Sequence, residues 1–445
     1  MRIAMIGGGY VGLVSAACFA EFGFKVSVVE TNPDRLNALK KGEIPIYEPG
    51  LDNLVSNNIK AGRLSFYDNI DLAIPECEAI FIAVGTPPRN GDGHADMTYV
   101  HKAAQQIARS LKHYAVIVTK STVPVGTSRR IAQILREENP ALEFDVASNP
   151  EFLREGDAIK DCMTPDRVII GLEKDKADGA KRAQEIMRRL YQPLFQKETP
   201  IVFTDLESAE LTKYASNCFL AVKLSYVNEL ADLCEQVGAN IEDVTRGMGL
   251  DGRIGKQFLR PGPGFGGSCF PKDTLALQRI AQEAGVASRV LEATVQTNEG
   301  RKANMSGRII GICDGNVYNK TIAVLGLTFK PDTDDMRESA SIPIIHRLVE
   351  SGAKIQAFDP VGNKTAKPYL PESVQYCSNV QEAANQADAL VILTEWNEFR
   401  SLFPANLKQW MRGNKVIDLR NVYDPKVMQV EGMEYHSIGR PMKKV

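Results

Sequence analysis

The chain opens on "MRIAMIGGGYVGLVSAACFAEFGFKVSVVE", residues 1–30, and the order of residue types in this stretch decides the fold. "RIAMIG" is a short continuous apolar run that ends in glycine. "YVGLVSAACFAEFG" is a run of small and apolar residues with helical reach, ending at Gly23. "KVSVVE" is a second apolar run that ends in an acid. Short apolar runs separated by helical patterns read as parallel strands covered on both faces. Between the first strand and its helix, Gly7, Gly9 and Gly12 spell G-x-G-x-x-G. There the first glycine permits a tight turn, the second lets backbone approach a diphosphate, and the third lets helix and strand pack closely. A diphosphate at that point meets the unpaired N–H groups and positive dipole end of the helix that Tyr10 and Val11 open. Glu30 ends the next strand, where its carboxylate can hold ribose hydroxyls and repel a 2′-phosphate. This favours NAD over NADP, although Arg35 lies close enough to blur the preference. No G-x-x-x-x-G-K-[ST] occurs, which excludes a P-loop phosphate cradle.

The same pattern continues through "AIFIAV", "AVIVTKS", "FDVASNP" and "RVIIG", giving a doubly wound α/β domain over residues 1–200. From Leu206 to about Val237 the apolar residues fall at helical spacing without an internal Gly or Pro. The spacing predicts a long central helix that joins two domains and offers a face to a partner subunit. With the helical stretches "KDTLALQRIAQEAG" and "SRVLEATVQTNEGRKANMSGRIIG" it makes a central region over 201–310. A second doubly wound sheet is expected over 311–445, from "TIAVLGL", "KIQAFDP", "ALVILTE" and "KVIDLRN". It repeats the order of a strand running into Gly and a strand ending in an acid. The fold class is therefore α/β, with two Rossmann-like sheets joined by a long helix.

A length of 445 residues suits two or three domains. A net charge of -2 gives no electrostatic reason to expect nucleic acid or an anionic membrane as partner. The eight cysteines are scattered without a C-x-x-C pair, so neither a zinc cluster nor a disulfide framework is expected, and no metal site is predicted. Dispersed thiols suit a reducing cytoplasm. Three glycines interrupt the apolar run at the start, so it is not read as a signal peptide, and no apolar run approaches the length of a membrane span.

The chemistry concentrates in "GPGFGGSCFPKD", residues 262–273, where Cys269 follows glycines and precedes Lys272 and Asp273. Backbone N–H groups and the Lys272 cation can favour a thiolate there, and the glycines can let two ligands approach closely. Asp273 falls in the first turn of a helix begun near Pro271. Lys213 and Asn217 stand one turn apart on the long helix, able to donate hydrogen bonds to one developing oxyanion. Glu151 and Glu155, in "NPEFLREG", follow a strand end, where open sheets place their sites. Thr122 and Thr86 also follow strand ends. A packed structural cysteine, a helix-start charge and a surface ion pair are the bland alternatives for Cys269, Asp273 and the arginines.

The blocks "GGGYVGLVSA", "IYEPGL", "STVPVGT", "NPEFLREG", "AELTKYASNCFLAVKLSYVNE", "FLRPGPGFGGSCFPKD", "FKPDTDDMRES" and "DLRNVYD" occur in one order along nearly the whole chain. In this the chain resembles the NAD-dependent nucleotide-sugar dehydrogenases of the UDP-glucose/GDP-mannose dehydrogenase family. The resemblance implies oxidation of a sugar's primary alcohol to a carboxylate with two NAD, through a thioester on Cys269. UDP-glucose is the implied substrate, with UDP-N-acetylmannosamine, UDP-N-acetylglucosamine or GDP-mannose as alternatives. It gives Asp273, Glu151 and Thr122 roles around hydrolytic water, and places Glu155, Thr122, Thr86, Lys272 and Arg337 on the NAD side. It assigns the sugar nucleotide to Phe152, Leu153, Arg154, Lys213, Asn217, Phe258, Leu259, Arg260, Pro261, Gly262 and Gly266, besides the two glutamates, with the active site between the domains. Lys330 and Arg420, just past strands of the second sheet, would meet the diphosphate. Arg253 would reach across a homodimer boundary. A non-catalytic binding protein and a one-step alcohol dehydrogenase are the rival classes.

Overall fold

Every apolar run read as a strand is one. The computed structural model describes residues 1–87, 89, 94–173 and 177–441, with backbone alone at 177–179 and 195–197. Two compact units divide the chain, Met1–Ser216 and Asn217–Val445. The long helix predicted from spacing is continuous over Leu206–Val237 and runs through the division.

In the first unit the strands are β1 (Arg2–Ile6), β2 (Lys25–Val29), β3 (Leu64–Tyr67), β4 (Ala79–Ile82), β5 (Ala115–Thr119), β6 (Phe144–Ser148), β7 (Val168–Leu172) and β8 (Ile201–Asp205). They form one sheet in the order β3-β2-β1-β4-β5-β6-β7-β8. The first six follow the doubly wound order, which reverses between β1 and β4 and so opens a crevice at their carboxyl ends. The helix Tyr10–Glu21 covers one face of this sheet. It is buried on all sides from Gly12 to Ala20, so it is apolar all round and not amphipathic. Phe19 stacks between Phe81 and Tyr191, at centroid distances of 5.4 and 5.8 Å. A second core, around Ile80, Ile107, Ile117 and Ile131, fills the other face.

The second unit holds β9 (Thr321–Leu325), β10 (Lys354–Phe358), β11 (Gln375–Tyr376), β12 (Ala389–Ile392), β13 (Lys415–Asp418) and β14 (Glu434–Ser437). Their order, β11-β10-β9-β12-β13-β14, repeats that of the first six strands, and every pairing is parallel. The helices Phe270–Glu283 and Arg289–Ile312 precede this sheet.

The expectation of a parallel first sheet needs one correction. β7 runs antiparallel to β6, pairing Leu172 with Ala147 and Gly171 with Ser148. Between these strands lie the "NPEFLREG" loop and only the short helix Ala158–Met163. Strands β3, β8, β11 and β14 do not stand out in the sequence, and all four lie at sheet edges. An edge strand has one neighbour and keeps partial exposure, so its residues are mixed, whereas β4, β5 and β12 are buried throughout.

The three fingerprint glycines separate by their surroundings. A Cβ on Gly12 would lie 2.0 Å from the Gly7 carbonyl oxygen, and one on Gly7, at φ +112°, would lie 2.6 Å from the Ala83 oxygen. Around Gly9 nothing lies within 4 Å. Gly12→Ala is therefore expected to destabilise the first unit by about 1–3 kcal/mol, the usual cost of overpacking. Gly9→Ala, open and at φ −75°, should change stability by less than about 0.5 kcal/mol. Thermal unfolding of both variants checks the contrast.

Candidate active site

The crevice between β1 and β4 carries the features a dinucleotide needs. Gly9 sits at the start of the helix Tyr10–Glu21 with no side-chain cap on the first turn, so its N–H groups remain for a ligand. Glu30 is buried just past β2 and accepts from the Asn32 amide at 2.8 Å, which sets its carboxylate at the crevice. Thr86 Oγ1 donates to the Thr122 carbonyl oxygen at 2.9 Å, joining the loops after β4 and β5. Val11 is half-buried and Arg35 exposed. The open Gly9 and uncapped helix fit a diphosphate; Glu30 fits a ribose.

Tyr10 has a part that its place in the fingerprint does not reveal. Its hydroxyl donates to Glu48, a buried residue of "IYEPGL". Glu48 also accepts from the Gly156 amide at 2.6 Å and the Ala158 amide at 2.7 Å. It thus pins the turn beside Glu155 to the first helix. Glu155 is half-buried, and its charge acts on Tyr10.

A buried ionic cluster lies at the carboxyl ends of β5 and β6. Lys213 Nζ stands 2.9 Å from Glu151 Oε1, and the two side chains are 3% and 6% exposed. Glu151 Oε2 accepts from the Leu153 amide at 2.7 Å, and Lys213 Nζ lies 5.4 Å from the centre of the Phe152 ring. Burial opposes ionisation of Glu151, but the charge and hydrogen bond of Lys213, the Leu153 amide and the charge of Lys120 together outweigh it. The carboxyl is held below its ordinary value. Lys120 is itself buried and bonds Asn149 Oδ1 at 3.2 Å. One turn before Lys213, Glu210 accepts from the amides of Gly126 and Ser128 at 2.6 and 2.8 Å and ties the long helix to the "STVPVGT" loop. Arg154 turns outward to Asp161.

In the second unit Cys269 caps the helix Phe270–Glu283 and is half-buried, with its Sγ 3.5 Å from Ser268 Oγ. Asp273 lies in the first turn of that helix, fully buried, and its amide donates to the Cys269 carbonyl at 2.8 Å. Its carboxylate accepts from Asn217 Nδ2 at 2.6 Å and from Lys272 Nζ at 2.8 Å. Thus Lys272, read from sequence as a cation near the thiol, also holds the carboxylate.

The glycines before Cys269 also serve a purpose the sequence does not disclose. A Cβ on Gly266 would lie 2.2 Å from the Glu338 carbonyl oxygen, and one on Gly267, at φ +84°, would strike the Phe329 ring at 2.6 Å. These glycines let the thiol loop lie against the "FKPDTDDMRES" segment, where the Gly267 amide also donates to the Arg337 carbonyl at 2.8 Å. Upstream, the Gly262 amide donates to Asn228 Oδ1 at 2.9 Å and its carbonyl accepts from Arg301 Nε at 2.6 Å. Phe258 is half-buried at φ +61° and Arg260 is exposed, while Leu259 and Pro261 are buried. Arg420 Nε donates to the Leu393 carbonyl at 2.8 Å, and its Nη1 would lie 2.8 Å from a Cβ on Gly262. Lys330 is half-buried near the Phe329 ring, whereas Arg337 and Arg253 are exposed against Asp335 and Asp251.

Sequence reasoning passes over Glu48, Lys120, Asn149 and Glu210. Glu48 and Lys120 sit inside the quoted blocks "IYEPGL" and "AVIVTKS", but a buried partner two loops away leaves no local pattern.

Two doubly wound sheets, one with a dinucleotide fingerprint, and a half-buried cysteine at a helix start define an NAD-dependent dehydrogenase. Family models match along the chain. The NAD binding domain of the UDP-glucose/GDP-mannose dehydrogenase family matches residues 1–195, its central domain 207–300, and its UDP binding domain 323–425. The chain belongs to the UDP-glucose/GDP-mannose dehydrogenase family. It is 52% identical over 441 residues to a UDP-glucose 6-dehydrogenase of Rhizobium meliloti, covering 99% of this chain and 100% of that one. A Bacillus subtilis UDP-glucose 6-dehydrogenase, TuaD, is 45% identical, with 99% and 93% covered. Among solved structures, a UDP-glucose dehydrogenase from Pyrobaculum islandicum superposes with a TM-score of 0.89 at 36% identity, covering 99% of this chain and 98% of that one.

Since the folded-state pKa of Glu151 lies below its unfolded value, its ionisation contributes stability that is present above about pH 4.3 and lost as pH falls through the folded value. Glu151→Gln leaves Lys213 buried without its carboxylate, which costs about 3–5 kcal/mol at neutral pH. The difference in thermal midpoint between native chain and variant is expected to be large at pH 7 and to shrink below about pH 4. A series of thermal melts against pH measures it.

Proposed function

We propose that the chain oxidises the C6 alcohol of UDP-glucose to the carboxylate of UDP-glucuronate, through a thioester on Cys269. The observation that carries this reading is the buried Asn217–Asp273–Lys272 chain at the helix start that Cys269 caps. It puts a fixed carboxylate one turn from a half-buried thiol, with the Asn217 amide bonded to that carboxylate. The names of the relatives supply the sugar nucleotide.

The C6 hydroxyl gives up a proton and C6 gives up a hydride, leaving an aldehyde. Cys269 Sγ bonds to C6 and the oxygen takes a proton, giving a thiohemiacetal. Loss of that proton and a second hydride leaves a thioester. Water adds, the C–S bond breaks, and the thiolate returns as the acid departs. NAD, when bound, accepts the hydride of each oxidation. Lys213 and Asn217 hold the C6 oxygen as it gains charge. Glu151 and Asp273 orient and deprotonate the water. Glu155, Thr122, Thr86, Lys272 and Arg337 line the NAD side. Lys330 and Arg420 take the diphosphate, with Phe152, Leu153, Arg154, Phe258, Leu259, Arg260, Pro261, Gly262 and Gly266 along the sugar nucleotide.

The reading extends to a homodimer in a reducing cytoplasm, with the three domains bounded near residues 200 and 310. Phe219, Tyr226 and Leu233 are exposed at successive seven-residue intervals on the long helix, 66%, 53% and 54% accessible. This spacing gives a seam for a second copy, and exposed Arg253 can then reach the partner's site. Tyr226→Glu is expected to shift the chain from dimer to monomer in analytical ultracentrifugation. An unchanged mass rules out that seam.

Purified protein should release two NADH per UDP-glucose and fewer with UDP-N-acetylmannosamine, UDP-N-acetylglucosamine or GDP-mannose. Cys269→Ser should lower overall turnover by about a thousandfold or more, as loss of a covalent nucleophile does. A single NADH per sugar with Cys269→Ser at native rates would support a one-step alcohol dehydrogenase instead.

A further inference from the structure

Lys120 is a buried cation that the steps above do not use. It follows β5, one residue beyond Thr119, and its side chain is 6% exposed as a residue. Its Nζ lies 3.2 Å from Asn149 Oδ1 and 3.5 Å from the Asn149 carbonyl oxygen. Asn149 is fixed from every side. Its Nδ2 donates to the Ile169 carbonyl at 2.8 Å, and its Oδ1 also accepts from the Tyr191 hydroxyl. Asn149 opens the "NPE" turn, so the Lys120 ammonium is anchored two residues ahead of Glu151.

The titratable groups around this ammonium come from four elements. Glu151 on the turn after β6 attracts it, and Lys213 on the long helix opposes it. The Cys162 thiol, on the helix Ala158–Met163, and the Cys18 thiol, on the first helix, face it as well. Tyr191 reaches it through Asn149. Burial favours the neutral form of Lys120, and the like charge of Lys213 adds to this, against the pull of Cys162 and Glu151; the balance lies below the ordinary lysine value.

Glu151 pairs directly with Lys213 at 2.9 Å, and Lys120, held on Asn149 two residues before it, adds a second positive charge to the same buried cluster. With Lys213 alone, Glu151 would cancel the charge that Lys213 brings to the substrate oxygen. With a second cation buried in the same cluster, the cluster keeps a net positive charge where an oxyanion forms. We propose that Lys120 is a positioning residue for the oxidation: anchored on Asn149, it shares the charge of Glu151 so that Lys213 still presents positive charge to the substrate oxygen. This rests on the roles given above to Lys213 and Glu151.

Lys120→Met and Lys120→Arg, with Lys213→Met beside them, test it. Deleting a positive charge raises the pKa of each neighbour, so in Lys120→Met both the acid and the alkaline limb of the kcat–pH profile move to higher pH. At neutral pH kcat falls by about ten- to a hundredfold, the scale of one charge-assisted contact, while KM for UDP-glucose stays within about twofold. Lys120→Arg restores the limbs. A second measurement needs no turnover. In thermal melts, Lys120→Met lowers the midpoint in the native background, and lowers it less or raises it when Glu151 is already Gln. A Lys120→Met profile with unmoved limbs, or additive shifts in the melts, overturns the proposal. If Lys213→Met keeps native kcat, the reading beneath it fails instead. If Lys120→Met does not fold, unmoved melts of the Lys120→Arg and Lys120→Gln variants against Glu151→Gln overturn it equally.

Discussion

The ion pair between Lys213 and Glu151 sets the terms for the first unit. Both side chains are almost wholly out of water at a separation of 2.9 Å. Removing an ion from water costs several kcal/mol even after the surroundings relax, and mutual attraction offsets this only with good geometry and satisfied lone pairs. Here the Leu153 amide takes the second carboxylate oxygen, and Glu210 one turn earlier locks the helix that carries Lys213. A well-packed apolar pair would serve stability as well as this one. Its presence at the carboxyl end of a doubly wound sheet, where ligands bind, is therefore better explained by chemistry than by folding.

Asp273 is the corresponding hub of the second unit. A carboxylate in the first turn of a helix is favoured by the dipole, but full burial makes it costly unless its oxygens are bonded. Asn217 takes one oxygen and Lys272 the other. The local order Cys-Phe-Pro-Lys-Asp thus places a thiol at the helix cap, proline at an early position that needs no N–H, and the acid one turn on. Each member restricts the next, and the backbone of Cys269 is held at the helix start by the bond from the Asp273 amide to its carbonyl.

What the sequence made legible follows from locality. The central strands, the first helix and the bounds of the helix Leu206–Val237 are written in runs of one character, and a reader of periodicity finds them. The edge strands are not, because each has one neighbour only and half or more of its residues are partly exposed. The order of β6 and β7 is also not, because strand direction depends on the path between strands. Of the site, Cys269, Asp273, Lys213 and Asn217 could be named from spacing and resemblance. Their partners could not all be. Lys272 stands three residues from Cys269 in sequence yet bonds Asp273, and Gly266 and Gly267 answer to Glu338 and Phe329, far along the chain. Lys120 and Glu48 carry no local signal, since their meaning lies in residues brought up from other strands and helices.

The two sheets show how one topology is fitted to different ligands. Gly7 after β1 lies against Ala83 after β4, and Gly326 after β9 lies against Thr394 after β12 in the same way. Each has an acid just past its second strand, Glu30 and Asp359. Glu30 accepts a single amide, from Asn32. Asp359 accepts from the Leu327, Thr328, Val361 and Gly362 amides and from the Trp396 indole. A carboxylate so fully bonded cannot also hold ribose hydroxyls. The second sheet keeps the turn geometry of a nucleotide fold, but its acid binds its own loops, and in the proposed reading the diphosphate goes to the cations Lys330 and Arg420, past β9 and β13. An acid at the first switch point suits uncharged ribose hydroxyls. Cations at the second would suit a diphosphate, and the proposed division of roles between the two sheets rests on that difference in charge.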